Sequence, residues 1–177
     1  MQQHPVRFFC RTAAENFMNI KISVARQLLT LFDEAGRVLR EFRVSTGKAG
    51  VGEVFGSFQT PRGQHLIRAK IGAGAAANTI FVRRRPTGEV WSPTFDQLHP
   101  GRDWILTRIL WLSGCEPGRN RLGRVDTMRR YVYIHGAPDI AEMGKPGSHG
   151  CIRMRNDDII ELFDLVPAYT PVEISED

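Results

Sequence analysis

Two stretches decide how this chain is read: Tyr131-Val132-Tyr133-Ile134-His135-Gly136, and then Gly147-Ser148-His149-Gly150-Cys151-Ile152-Arg153. The first is short, aromatic and β-branched, and reads as a strand that ends on a histidine and a glycine. The second places a serine, a histidine and a cysteine around glycines, where the backbone can turn sharply or approach a ligand closely. A free thiol has a pKa of about 8.5 and reacts as the thiolate, so a cysteine nucleophile needs a neighbouring base. An imidazole brought close by the fold is such a base. The amides of His149, Gly150 and Cys151 then suit an oxyanion hole for a tetrahedral intermediate. A single histidine or cysteine more often fills a core than reacts; here the clustering argues for chemistry.

The residues after this motif read as the clearest helix. Asn156 reads as its cap, Asp157, Asp158 and Glu161 as acids in the first turns, and Ile159, Ile160, Leu162, Phe163 and Leu165 as its buried face. Pro167 ends it, and Val172-Glu173-Ile174 reads as a last strand. Cys151 lies a few residues ahead of this helix start, whose N–H groups would favour a thiolate if brought close.

Upstream, Ile20, Ile22 and Val24 alternate with polar residues, Gln27 to Phe32 form a second run, and Val38 to Val44 alternate again across the turn Asp33-Glu34-Ala35-Gly36. This spacing is that of a β-meander. Residues 45–63 are rich in glycine and turn formers and read as a long loop or irregular hairpin. Gly47-Lys48-Ala49 lacks the spacing and hydroxyl of a phosphate-binding loop. His65 to Ile71, Ile80-Phe81-Val82 and Ile105 to Leu112 read as strands, with loops over 72–80, 86–103 and 114–130. The chain is expected to be mainly β, with one helix after the cysteine motif.

The 177 residues suffice for one domain with a real core, and no internal repeat or linker divides them. The 42% apolar and 24% charged composition excludes a disordered chain, a collagen-like repeat and a disulfide-dense miniprotein. A domain over residues 20–177 is expected, preceded by a tail over 1–19, with Met18 as an alternative start. The net charge of +5 rests on 20 arginines and four lysines against 19 acids. Arg83-Arg84-Arg85 and the looser set Arg119, Arg121, Arg124, Arg129 and Arg130 read as solvated faces. No recognised nucleic-acid module accompanies them, so no nucleic-acid partner is expected. No apolar run matches a secretory leader or reaches the ~18 residues of a membrane span. Three widely spaced cysteines, Cys10, Cys115 and Cys151, form no disulfide framework. A zinc site built from His135, His149, Cys151 and Cys115 matches no common ligand spacing, so no metal is expected.

The pair Ile134-His135-Gly136 and Ser148-His149-Gly150-Cys151-Ile152-Arg153 resembles the signature of the YkuD-type L,D-transpeptidase catalytic domain. Gln27-Leu28-Leu29, Val44-Ser45-Thr46-Gly47-Lys48 and Thr60-Pro61-Arg62-Gly63 resemble further segments of that family, so the likeness covers residues 20–174. It implies a mixed, β-sandwich-like fold with the cysteine in a cleft, and acyl transfer on peptidoglycan stem peptides or muropeptides without a cofactor. By that resemblance Cys151 is the nucleophile and His135 the general base and acid. The Gly136 carbonyl orients the imidazole, and Ser148, His149 and Gly150 shape the oxyanion hole and pocket. Arg153 binds a substrate carboxylate or braces the loop. As encoded, the chain is expected in the cytoplasm, or in the periplasm if its N-terminus is incomplete. The first location favours hydrolytic release of D-alanine, an L,D-carboxypeptidase outcome that suits recycling of wall fragments. The rival is a non-catalytic domain of the same fold that binds peptidoglycan or another anionic polymer. A regulatory bridge between Cys115 and Cys151 stays open, and so does the oligomeric state.

Overall fold

A computed structural model describes residues 18–177. The expected tail therefore falls outside the described residues except at its end, where Met18 packs against the core and Asn19 opens the first strand. The strands are β1 (Asn19–Ser23), β2 (Leu28–Phe32), β3 (Val38–Arg43), β4 (Gly63–Ile71), β5 (Thr79–Val82), β6 (Arg85–Val90), β7 (Leu106–Gly114), β8 (Tyr133–Gly136), β9 (Ile152–Met154) and β10 (Pro171–Ser175). The helices are α1 (Pro93–Leu98) and α2 (Asn156–Leu165). The mainly β reading holds, and the meander is β1–β2–β3, paired antiparallel.

One mixed sheet runs β3-β2-β1-β10-β4-β7-β5-β6, and β8 pairs both β7 and β9. The last strand, β10, inserts parallel to β1 with Ile20 opposite Val172 and Ile22 opposite Ile174. These four side chains are at most 1% exposed and knit the two ends of the folded body into one core. β7 pairs on both edges, with β4 on one side and β8 on the other. Strand parity then sorts its side chains. Leu110 and Leu112 enter the main core beneath α2, while Ile109 and Trp111 face the opposite side.

The expected loop over 86–103 departs from the structure. Most of β6 lies in it, as an edge strand exposed at every position, and so does α1. Pro86 and Gly88 hide the strand because an edge tolerates both residues. Ser92 caps α1 by accepting from the Phe95 amide, and Pro93 opens it. The cap of α2 also differs. Its N-cap is Arg155, without a side-chain cap bond, and Asn156 is the first helical residue. The Asn156 amide turns inward, hydrogen-bonding Thr107 and donating to Asn78 Oδ1 at 2.7 Å and to the Ala137 carbonyl at 3.1 Å. Ile159, Leu162 and Phe163 form the buried face as expected, while Ile160 is half-buried and Leu165 is 38% exposed. No described helix is long and apolar enough to cross a membrane.

Candidate active site

β8 and β9 pair in parallel, with Ile134 opposite Ile152, His135 opposite Arg153 and Gly136 opposite Met154. Ile134, Ile152 and Met154 enter the main core. Alternation sends Tyr133, His135, Cys151 and Arg153 to the other face. Tyr133 and Cys151 indeed pack with Phe81 and Ile109 on that side. The histidine and cysteine of the two motifs therefore occupy adjacent rows of one sheet face. Both also feel the charges of Asp103 and Arg153.

His135 is 1% exposed, and its Nδ1 lies 2.8 Å from the Gly136 carbonyl. A carbonyl only accepts, so Nδ1 carries the proton and Nε2 is left as an acceptor. Burial lowers the imidazole pKa and holds the ring neutral; the Asp103 charge opposes this. Glycine is required at 136 on packing grounds. A Cβ there would meet Asn156 Oδ1 at 2.6 Å, the Leu106 carbonyl at 2.8 Å and Thr107 Cβ at 3.0 Å.

The loop carrying Cys151 is laced directly to two of the three further motif segments and through Thr46 to the third. The Ser148 hydroxyl donates to the Cys151 carbonyl at 2.5 Å and accepts from the Gly150 amide at 3.1 Å. Thr60 donates to the Gly150 carbonyl at 3.1 Å and accepts from the Gly47 amide at 2.8 Å. Ser45 and Arg153 exchange both backbone bonds, and the Gly147 and Ser148 amides donate to Thr46. Gln27, 2% exposed, fixes Thr46 in turn, donating to its hydroxyl at 2.7 Å and accepting from its amide at 2.8 Å. Gly150 sits at φ +111°, and a Cβ there would meet the Gln59 carbonyl at 2.9 Å. Both the conformation and the space demand glycine.

Cys151 carries a free thiol, so no bridge joins it to Cys115. Its Sγ accepts from the Tyr133 amide at 3.4 Å and lies 3.6 Å from the Tyr131 carbonyl, to which the thiol donates. Burial pushes the thiol up to about 12, against the opposing Tyr133 amide. The expected help from the following helix does not arrive. β9 intervenes, and five residues of mostly extended chain put the first turn of α2 roughly 15 Å away. Two of the three amides expected to line an oxyanion hole already have acceptors. The His149 amide donates to Asp103 Oδ2 at 3.1 Å, and the Gly150 amide to Ser148 Oγ.

Asp103 organises this wall, and the sequence reading missed it. Arg153 donates to its Oδ1 from Nε at 3.0 Å and from Nη2 at 2.6 Å. The His149 Nδ1 lies 3.3 Å from its Oδ2. Arg153 thus braces the loop. Asp103 stands in the Gly-Arg-Asp-Trp loop ahead of β7, where no local pattern separates it from other surface acids.

Cys151 opens into a cleft of about 310 Å³ lined by Phe55, Phe58, Arg130, Tyr131, His149 and Gly150 among others. His149 is 62% exposed and forms the rim, its ring edge-on to Phe58 at 5.5 Å. A second cleft of about 390 Å³ lies on its far side, lined by Lys48, Asp103, Trp104, Ile140 and Arg153. The segment 114–130 read as a loop is firmly held, because Asn120, fully buried, donates to the Arg62 and Gln64 carbonyls and binds Glu116. Tyr131 is braced too: Arg84 stacks on Tyr131 and Trp111 and donates to the Tyr133 hydroxyl at 3.0 Å. Among the described residues no group of three or more His, Cys, Asp and Glu side chains is placed to hold a metal.

The family model for the YkuD L,D-transpeptidase catalytic domain matches residues 18–174. This chain belongs to that family. A Bacillus licheniformis protein that carries the name L,D-transpeptidase YkuD is 43% identical over 156 residues, covering 88% of this chain and 64% of its own length. The fold is shared with a solved L,D-transpeptidase from Mycobacterium smegmatis, with a TM-score of 0.57 and 20% identity over 90% of this chain and 58% of that one. It is shared likewise with LD transpeptidase LdtMt1, solved in complex with imipenem, with a TM-score of 0.55 and 22% identity over 90% of this chain and 59% of that one. This chain spans less than two thirds of the length of each.

Proposed function

We propose that the chain is a cysteine acyltransferase acting on peptidoglycan stem peptides that end in D-alanine. The observation that carries the reading is the placement of His135 and Cys151 on one face of β8–β9, with the imidazole tautomer fixed by the Gly136 carbonyl. A raised thiol and a lowered imidazole make the resting pair neutral. Attack then couples S–H deprotonation by Nε2 to S–C bond formation at the carbonyl before the terminal D-alanine. The loop's remaining amide, that of Cys151, is the donor assigned to the developing oxyanion. Collapse breaks the C–N bond, and the imidazolium proton goes to the departing D-alanine amine. The thioester then yields to an acceptor deprotonated by the same imidazole, which restores the thiol.

Water is the proposed acceptor, an L,D-carboxypeptidase outcome on tetrapeptide muropeptides, because it needs no second peptide beside the thioester. An amine acceptor would need the second cleft across His149. Incubation of the chain with a tetrapeptide muropeptide, with and without an amine acceptor, separates the two outcomes by mass spectrometry. Loss of one D-alanine, abolished in Cys151→Ala, is expected. No turnover and no acyl adduct would leave a binding domain of the same fold. Imipenem, held by a structural neighbour, is a second probe for an adduct on Cys151.

A further inference from the structure

Among the described residues lining the Cys151 cleft, Arg130 carries the only permanent charge. It is half-buried, and its guanidinium is held in place by neutral acceptors. Nη1 donates to the Gly52 carbonyl at 3.0 Å, and Nη2 donates to the Gln59 carbonyl at 2.6 Å and to Ser57 Oγ at 3.3 Å. A guanidinium has five N–H donors, so these three bonds leave two of them unused on a residue that lines the cleft. Among the described residues no carboxylate pairs with it. Glu53, the acid nearest in charge, is bound by Arg62 at 2.9 Å. Of the other cations near the site, Arg153 is bound to Asp103 and Arg84 stacks on Tyr131 and Trp111 and bonds the Tyr133 hydroxyl, while Lys48 lines the second cleft on the far side of His149. A fixed cation without a counter-ion in a cleft walled by Phe55, Phe58 and Tyr131 concentrates field on an incoming anion.

A donor peptide places one anion within reach by necessity. Adjacent residues are about 3.8 Å apart, so when the scissile carbonyl sits at Sγ, the carboxylate of the leaving residue lies within one residue of it, in the same cleft. We propose that Arg130 reads this terminal α-carboxylate and restricts the enzyme to donors whose leaving residue is a free C-terminal amino acid. Of the two roles expected for Arg153, carboxylate binding thereby passes to Arg130, and bracing the loop stays with Arg153. This inference rests on the acyl-transfer reading above.

The test compares two tetrapeptide donors, one ending in D-alanine and one in D-alaninamide. The wild-type chain should prefer the free acid by roughly ten- to a hundredfold in kcat/KM, the scale of one hydrogen bond to a charged group. Arg130→Met should bring the two donors to near equality, and Arg130→Lys, which keeps the charge without the planar fork, should retain part of the preference. Each ratio is taken within one variant, so a general loss of activity cancels. D-alanine should inhibit the wild-type chain as a product, and D-alaninamide should not. Equal wild-type turnover of both donors, or an unchanged preference in Arg130→Met, would overturn the assignment. Release from neither donor would instead remove the acyl-transfer reading, and this one with it.

Discussion

At the scale of single residues, the Cys151–His135 pair is neutral at rest. Cys151 is held among Phe81, Ile109 and Tyr133, and burial outweighs the amide that faces its sulfur. Its thiolate therefore forms at higher pH than that of a free cysteine. Alkylation of Cys151 by iodoacetamide should be slow near neutrality and still climbing above pH 9; a plateau below pH 8 would contradict this. Asp103 makes the second residue-scale prediction. It accepts from Arg153 and from the His149 amide, and its charge favours the imidazolium that forms when His135 takes a proton. Asp103→Asn should lower kcat more than it raises KM and destabilise the chain by about 1–3 kcal/mol, read by turnover and by urea unfolding. His135, Cys151 and their glycines were legible in the sequence because their chemistry is local to two short motifs. Asp103 was not, since its partners arrive from β9 and from the loop before it.

At the scale of elements, α2 shows what burial does to a residue that reads as a cap. Asn156 would cap an exposed helix start, but the start of α2 is pressed against β7 and β8. Its amide instead joins Thr107, Asn78 and Ala137, and Thr107 itself adopts φ +69° at an irregularity in β7. Asn156→Ala should cost about 1–3 kcal/mol by stranding these partners. The true N-cap, Arg155, makes no side-chain cap bond, so Arg155→Ser should stabilise by about 0.5–1 kcal/mol. Urea midpoints check both signs. The other end of α2 is closed from a distance, as Lys70 of β4 donates to the Phe163 and Val166 carbonyls at 2.6 and 2.7 Å. β1, β2, β4 and β7 were legible from their apolar spacing. β6 was not, because an exposed edge strand carries no apolar alternation.

At the scale of the whole molecule, the polar interior sets an acid limit. His65 of β4 is 1% exposed, donates from Nδ1 to the Gly63 carbonyl at 2.9 Å and accepts at Nε2 from Thr127. Burial lowers it to about 4, with Glu116 opposing and Arg119 and Arg130 assisting. Between pH 6.5 and 4 the unfolded chain takes up a proton that the folded chain refuses. Stability therefore falls as pH drops through that window, by on the order of 3 kcal/mol in total. The urea midpoint of the wild-type chain should decline across it, and His65→Gln should flatten the decline.

The sequence by itself determined the cysteine and histidine motifs proposed to react, the β character and the helix that follows, because each is written in neighbouring residues or in a short period of apolar positions. Only the tertiary structure decided that Asp103 braces the cysteine loop, that Asn156 is a tether and that Arg130 faces the cleft. Those roles depend on which distant strand or loop supplies a partner, and on burial, which turns the same side chain from solvated to committed.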